Sequence, residues 1–197
     1  MLIYILVINL FLPALSYNLC VVGGSSGLGK ELIYQGTNER QLNVLALTSS
    51  INPITVPCRE NDFKEMKNLE KFKHPYLTED NYWRDITRHS YKNLVFTTSS
   101  KPFEDDYSDK LMNKILNNLS DNCQSIHFVS LCNKNQINKW YLSDSYRAKK
   151  EQEKILRRYE KDLDIHIYKP SYLTYGETNS DSITRQSLAM EILDNCL

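Results

Sequence analysis

The chain has 197 residues, enough for one well-buried domain and short for two. Its lysines and arginines number 24 and its aspartates and glutamates also 24, so the formal net charge is zero. That excludes a global basic field that would draw in nucleic acid or an anionic membrane surface, and neither is expected as a partner.

The first segment, Leu2 to Ser16, is uncharged and almost wholly apolar, and is short for a membrane span. Pro13 interrupts it, and Ala14 with Ser16 makes the small-x-small pattern of a signal-peptidase site. The expected organisation is a signal peptide over residues 1–16, cleaved before Tyr17, and a single folded domain over 17–197. No stable membrane span is expected after cleavage. A retained anchor and a buried extra strand are the competing readings of the segment. The expected destination is the secretory lumen or the exterior. A plastid reached by the same route is the alternative, though no basic, acidic-poor second address fits before Asn18. Asn118-Leu119-Ser120 is then an acceptor triplet for glycosylation. The five cysteines lack CxxC or His-paired spacing, so neither a metal site nor a disulfide framework is expected.

Asn18 to Ile33 carries the most information. An apolar run, Leu19 to Val22, breaks into Gly23-Gly24-Ser25-Ser26-Gly27-Leu28-Gly29, and a helical pattern follows through Leu32 and Ile33. This is the strand, loop and helix start of a dinucleotide-binding fold. Glycines at 23, 27 and 29 let the backbone turn sharply and come close to a pyrophosphate, which the helix N-terminus then faces.

The remaining pattern alternates strand and helix. The first helix is expected to stop at Gly36. Leu42–Leu47 reads as a second strand ending in Thr48-Ser49-Ser50, and Pro53 and Pro57 mark a loop. Apolar residues at 63, 66, 69 and 72 predict a surface helix. His74–Leu77 reads as a third strand and Thr78 as the cap of another helix. Asn93–Thr98 is the fourth strand, Leu111–Leu119 a helix, Ser125–Leu131 the fifth strand, and a long helix spans about Asp144–Glu160. Asp164–Tyr168 is the sixth strand and Thr184–Cys196 the closing helix. Such alternation predicts an α/β fold of three layers, a doubly wound parallel sheet covered on both faces. His127, mid-strand, reads as a packed core residue.

In this order the landmarks resemble the short-chain dehydrogenase/reductase family, most closely its atypical, NAD(P)H-binding branch. The glycine loop is similar to the family's Gly-x-x-x-Gly-x-Gly signature. Phe128-Val129-Ser130 resembles the strand that delivers the family's serine, and Tyr146 with Lys150 its Tyr-x-x-x-Lys helix. Lys169-Pro170-Ser171-Tyr172-Leu173 to Gly176 is similar to the Arg-Pro turn after strand six. Thr184-Arg185-Gln186-Ser187-Leu188-Ala189 resembles the closing helix. The resemblance implies a Rossmann fold, with a cofactor held by Gly23, Gly24, Ser25, Ser26, Gly27, Leu28, Gly29, Thr48, Ser49, Thr97, Thr98 and Lys150.

It also implies a catalytic set. Tyr146 and Lys150 lie four apart on one helix face. Beside a bound nicotinamide, Lys150 would stabilise a phenolate at Tyr146 and hold the ribose hydroxyls. Tyr146 would protonate a carbonyl oxygen as hydride arrives, and Ser130 would orient that oxygen. The second strand ends without the acidic residue that accepts the ribose hydroxyls of NAD, so NADP is favoured over NAD, with Arg59 a candidate for the 2′-phosphate. The expected function is an NAD(P)H-dependent oxidoreductase acting on a small carbonyl-like substrate. The alternative is a non-catalytic NAD(P)H-binding redox sensor or assembly factor. A third reading, a sugar-nucleotide-modifying enzyme, has little room for a substrate domain.

Overall fold

The computed structural model describes residues 16–48, 68–73, 89–98, 107–131, 140–170, 173–174 and 182–197. Six parallel strands form one sheet: β1 (Ser16–Val22), β2 (Val44–Thr48), β3 (Leu69–Lys73), β4 (Ser90–Phe96), β5 (Ser125–Val129) and β6 (Asp164–Tyr168), in the order β3-β2-β1-β4-β5-β6. This is the strand order of the doubly wound Rossmann fold, built of two halves that meet where β1 lies against β4. A separate parallel ladder of two residues each, β7 (Leu173–Thr174) and β8 (Ile183–Thr184), follows the sheet.

Alternation along β1 sorts the core. Cys20 and Val22 join Leu94, Phe96, Ile126 and Phe128 under α2 (Tyr107–Leu116) and α3 (Trp140–Leu156). Leu19 and Val21 join Val95 and Val129 under α1 (Gly27–Tyr34) and α4 (Arg185–Asp194). β1, β2, β4 and β5 are thus buried on both faces, and their sequences are near-continuous apolar runs for that reason. The three layers and the doubly wound sheet are those expected from the sequence.

Two expectations need correction, and several others fall outside the described residues. The helix read over Phe63–Phe72 gives way at its C-terminal end to β3, which pairs with β2 from Val44↔Leu69 to Thr48↔Lys73. Leu69 suits either period, but a sheet of this order needs a third strand beside β2, and pairing decides. As an edge strand carrying Glu70, Lys71 and Lys73, β3 is short and charged, which discourages further strand addition. Gly36 does not end the first helix. The chain continues as a wide turn of π-helix over Gln35–Glu39 and stops where Gln41 takes a positive φ of 55°. A Cβ on Gly36 would lie 3.2 Å from Val44 Cγ2, so this glycine serves close packing on β2. The signal segment up to residue 15, the His74–Leu77 strand, the helix at Thr78, Ser49, Arg59 and Gly176 lie outside the described residues.

Several boundaries also shift. β1 begins at Ser16, which pairs with Ser90, and Tyr17 is buried against Tyr91. α3 starts one turn before Asp144, and its last turn tightens to a 3₁₀ turn over Arg157–Tyr159. Thr184 caps α4 by accepting the Ser187 N–H at 2.9 Å. Cys20, Cys123 and Cys196 are free thiols, and burial pushes all three well above the ordinary thiol range. They pack as small apolar groups. Among the described residues no helix is long and apolar enough to cross a membrane, and no cluster suited to a metal ion occurs.

Candidate functional site

The glycine loop lies at the C-terminal end of β1, at the switch point of the sheet. Gly23 has φ +88°, and a Cβ there would meet Thr97 Oγ1 at 2.9 Å. A Cβ on Gly29 would meet the Gly23 carbonyl oxygen at 2.3 Å, so the helix can start this close to the strand only with glycine there. A Cβ on Gly24 would press on Ile33 and Thr48. Gly23 and Gly24 both donate their N–H to the Leu47 carbonyl, at 3.0 and 3.2 Å, which ties the loop to β2.

Ser26 caps α1. Its Oγ accepts the Gly29 N–H at 2.9 Å and donates to Thr97 Oγ1 at 3.0 Å. The Thr97 hydroxyl lies 3.0 Å from both the Val22 and Gly23 carbonyl oxygens and donates its one proton between them. β4 is thereby fastened to the loop by side chains as well as by the sheet. Gly27 and Leu28 are the first two helical residues, and the geometry of a helix start leaves their N–H groups without an intrahelical acceptor. Together with the helix dipole they form an anion seat. Ser25 is exposed on the loop, whereas the Leu28 side chain is buried in the α1–α4 core and offers only its backbone. Thr48 is fully buried at the end of β2, and Thr98 is half-buried just past β4.

The second group sits on α3 and the end of β5. Ser130 follows β5 and is buried, and its hydroxyl donates to Glu153 Oε1 at 2.5 Å. The same carboxylate takes Lys150 Nζ at 2.9 Å, one turn earlier on α3, and Lys169 Nζ at 3.2 Å from the end of β6. Burial pushes the Glu153 carboxyl up, but the Ser130, Lys150 and Lys169 hydrogen bonds outweigh it and hold the group below its usual value. Partial burial works against charge on Lys150, and the Glu153 carboxylate outweighs this and raises its pKa. Lys150 Nζ also stands 5.3 Å from the centre of the half-buried Tyr146 ring. The structure thus brings Ser130, Tyr146 and Lys150 into one neighbourhood, organised by Glu153.

Two residues went unnoticed in the sequence. Glu153 is the hub, and the signal for it is the i,i+3 spacing from Lys150. Lys149 is buried to 5% exposure, and its Nζ donates to the Thr98 carbonyl at 2.6 Å and lies 4.6 Å over the Phe128 ring. The Tyr-x-x-x-Lys spacing in the sequence points to its neighbour Lys150 instead.

His127 is a core residue, as expected. It is fully buried, with Nε2 2.8 Å from Ser125 Oγ and Nδ1 3.1 Å from the Tyr168 hydroxyl, and its ring stacks on His166 at 4.6 Å.

The fold this geometry defines is the Rossmann fold. No family model matches the chain, and no curated protein does. Solved structures do. A Rossmann-fold NAD(P)-binding family protein from Shigella flexneri superposes with a TM-score of 0.61 at 12% identity, over 93% of this chain and 86% of that one. A short-chain dehydrogenase/reductase from Veillonella parvula, solved in complex with NADP, gives 0.59 at 11% identity, over 89% and 85% of the two chains. A UDP-N-acetylglucosamine 4-epimerase from Bacillus cereus gives 0.58 at 14% identity, over 91% and 72%. At these identities the likeness is one of fold.

Proposed function

We propose that the chain binds NAD(P)H in the manner of an atypical short-chain dehydrogenase/reductase and reduces a small carbonyl-like substrate. One observation carries the binding half of this reading: a cradle at Gly23 and Gly29 that a Cβ would fill, locked by Ser26 and Thr97 at the switch point. The Gly27 and Leu28 N–H groups would face the pyrophosphate. Thr48 and Ser49 would border the adenosine ribose, and Thr97 and Thr98 the second half. NADP is preferred over NAD, because β2 ends in Thr48 and the residues after it, Ser49 and Ser50, bring no carboxylate to repel a 2′-phosphate.

When bound, the reduced nicotinamide supplies a hydride to a carbonyl carbon. Tyr146 gives its phenolic proton to the carbonyl oxygen, leaving an alcohol, and regains a proton from solvent. Lys150, 5.3 Å from the Tyr146 ring, favours the transient phenolate. Ser130 supports this pair through Glu153.

The same geometry favours a second reading, a cofactor-binding sensor or assembly factor without turnover. The Ser130 hydroxyl and the Lys150 ammonium are both engaged by Glu153. Titration of purified protein with NADPH and NADH tests what the two readings share. NADPH oxidation across a carbonyl panel, in wild type and Tyr146→Phe, separates them. Turnover lost in the variant supports the enzyme; turnover that survives it removes Tyr146 from the role, and no turnover with tight binding leaves the sensor.

A further inference from the structure

Residues 195 and 196, just past α4, are tied to the sheet by hydrogen bonds whose protons can each be placed. Asn93, on β4, donates both amide protons, to the Asn18 carbonyl at 2.8 Å and to the Cys196 carbonyl at 3.0 Å. Its Oδ1 is therefore the atom that accepts the Ser125 hydroxyl at 2.7 Å. Ser125 has given its one proton there, so its oxygen accepts from His127 Nε2 at 2.8 Å, and Nε2 carries the hydrogen. On the other side of the ring, Asn195 donates to the Glu191 carbonyl at 3.0 Å and to the Tyr168 oxygen at 3.1 Å. The Tyr168 proton then goes to His127 Nδ1, 3.1 Å away.

A neutral ring with hydrogen on Nε2 suits both neighbours. A second proton, on Nδ1, would meet the hydroxyl proton of Tyr168. The phenol must then turn to accept, and Asn195 on its far side offers it another donor, not an acceptor. Turning the Asn195 amide over would give up its bond to Glu191. Either way the tie between β6 and the residues after α4 is broken. We infer that residues 195–197 form an acid-released latch, in which protonation of His127 and undocking of this segment are one event. The inference does not depend on the cofactor reading.

The titratable groups around the ring come from two sides. On β6, His166 stacks on it at 4.6 Å and lies 3.0 Å from the Asp164 carboxylate, and Tyr168 holds Nδ1. From the α4 side, Cys196 Sγ lies 3.4 Å from Nε2, and Glu191 bears on Tyr168. Asn93 on β4 and Ser125 on β5 bring no charge. Burial and His166 lower the pKa of the docked ring to about 3, against the opposite pull of Asp164. An undocked ring returns toward its ordinary 6.5, so undocking takes up a proton below that pH and grows by at most about tenfold per pH unit.

Hydrogen exchange of the full chain, followed by NMR and corrected for the intrinsic effect of pH, is the test. It is read at the Cys196 amide, which bonds to the Leu193 carbonyl at 3.1 Å, and at Val21 and Leu94 in the core strands. Cys196 is expected to exchange faster than the core, through local opening, and to lose about tenfold in protection between about pH 7.5 and about pH 5.5. His127→Gln should abolish this response and His166→Gln should keep it. Asn195→Ala, at an exposed position that folding tolerates, should raise Cys196 exchange already near neutrality and shrink the response. Protection at Cys196 equal to that of the core overturns the inference, as does a response that is absent, survives His127→Gln or vanishes in His166→Gln. The ring nitrogen shifts of the wild-type chain give a check that needs no variant: hydrogen on Nδ1 instead of Nε2 at neutral pH overturns the latch as well.

Discussion

The Ser130 hydroxyl donates to the Glu153 carboxylate at 2.5 Å, which joins the end of β5 to the middle of α3 at the base of the candidate site. Two lysines, from α3 and from the end of β6, close on the same carboxylate. Glu153→Ala strands a buried hydroxyl and removes the shared partner of both cations. The expected loss is about 1–3 kcal/mol, measurable by urea unfolding. Lys169→Ala leaves the Lys150 pair in place, and because Lys169 is 40% exposed its loss should stay under about 1 kcal/mol. Equal losses for the two variants would contradict Glu153 as the hub.

Thr97 holds the loop through contacts to Ser26, Val22 and Gly23. Thr97→Val keeps the shape and deletes the hydroxyl, so the expected cost is about 1–2 kcal/mol of stability. Binding of NADPH should weaken in parallel, since the Ser26 cap loses its lateral support. Gly29→Ala is harsher, because its Cβ would meet the Gly23 carbonyl oxygen at 2.3 Å, backbone that cannot easily move, and the capping Ser26 Oγ at 2.9 Å. Intact thermal stability in Gly29→Ala would show that the loop adapts more freely than this geometry allows.

His127 gives a pH signature. Burial, with His166 stacked beside it, lowers its pKa from 6.5 to about 3. The folded chain therefore keeps it neutral while the unfolded chain takes up a proton below pH 6.5. Its contribution to stability is complete above pH 6.5 and is lost as pH falls from there toward 3, at up to about 1.4 kcal/mol per pH unit. His127→Gln should flatten the acid limb of a stability-against-pH curve by that slope. An unchanged limb would mean that the ring is protonated in the fold.

Translocation into the secretory pathway, expected from Leu2–Ser16, can be read at Asn118. This residue is exposed just after α2, and its side chain bonds locally to the Lys114 carbonyl. A glycan there is expected to raise the apparent mass of the protein made in a secretory host, and Asn118→Gln or glycosidase should abolish the increment. A wild-type chain with no increment would count against luminal passage.

How much could be read before folding differs between parts of the molecule. The glycine loop, the α/β alternation and five of the six sheet strands were legible, because each is a local pattern: β1, β2, β4 and β5, buried on both faces, are mostly apolar, the edge strand β6 alternates Ile165 and Ile167 with polar residues, and a strand-to-helix turn this tight must use glycine. β3 was not, because an edge strand with one neighbour need not be apolar, and Leu69 and Phe72 satisfy a helical period as well. Gly36 reads as a helix stop from sequence, yet its role is contact with Val44, a residue of the next strand.

The site divides in the same way. Sequence alone determined the tight glycine turn ahead of α1, because backbone geometry and the absence of a Cβ make it, and residue types report both directly. It also placed Ser130, Tyr146 and Lys150 on the elements that carry them. Only the tertiary structure decided that Lys149 reaches the Thr98 carbonyl and that Glu153 gathers Ser130, Lys150 and Lys169. The rotation of α3 about its own axis sets both outcomes. That rotation follows from packing Leu156 and its neighbours against β4 and β5, long-range contacts that no spacing within the helix encodes.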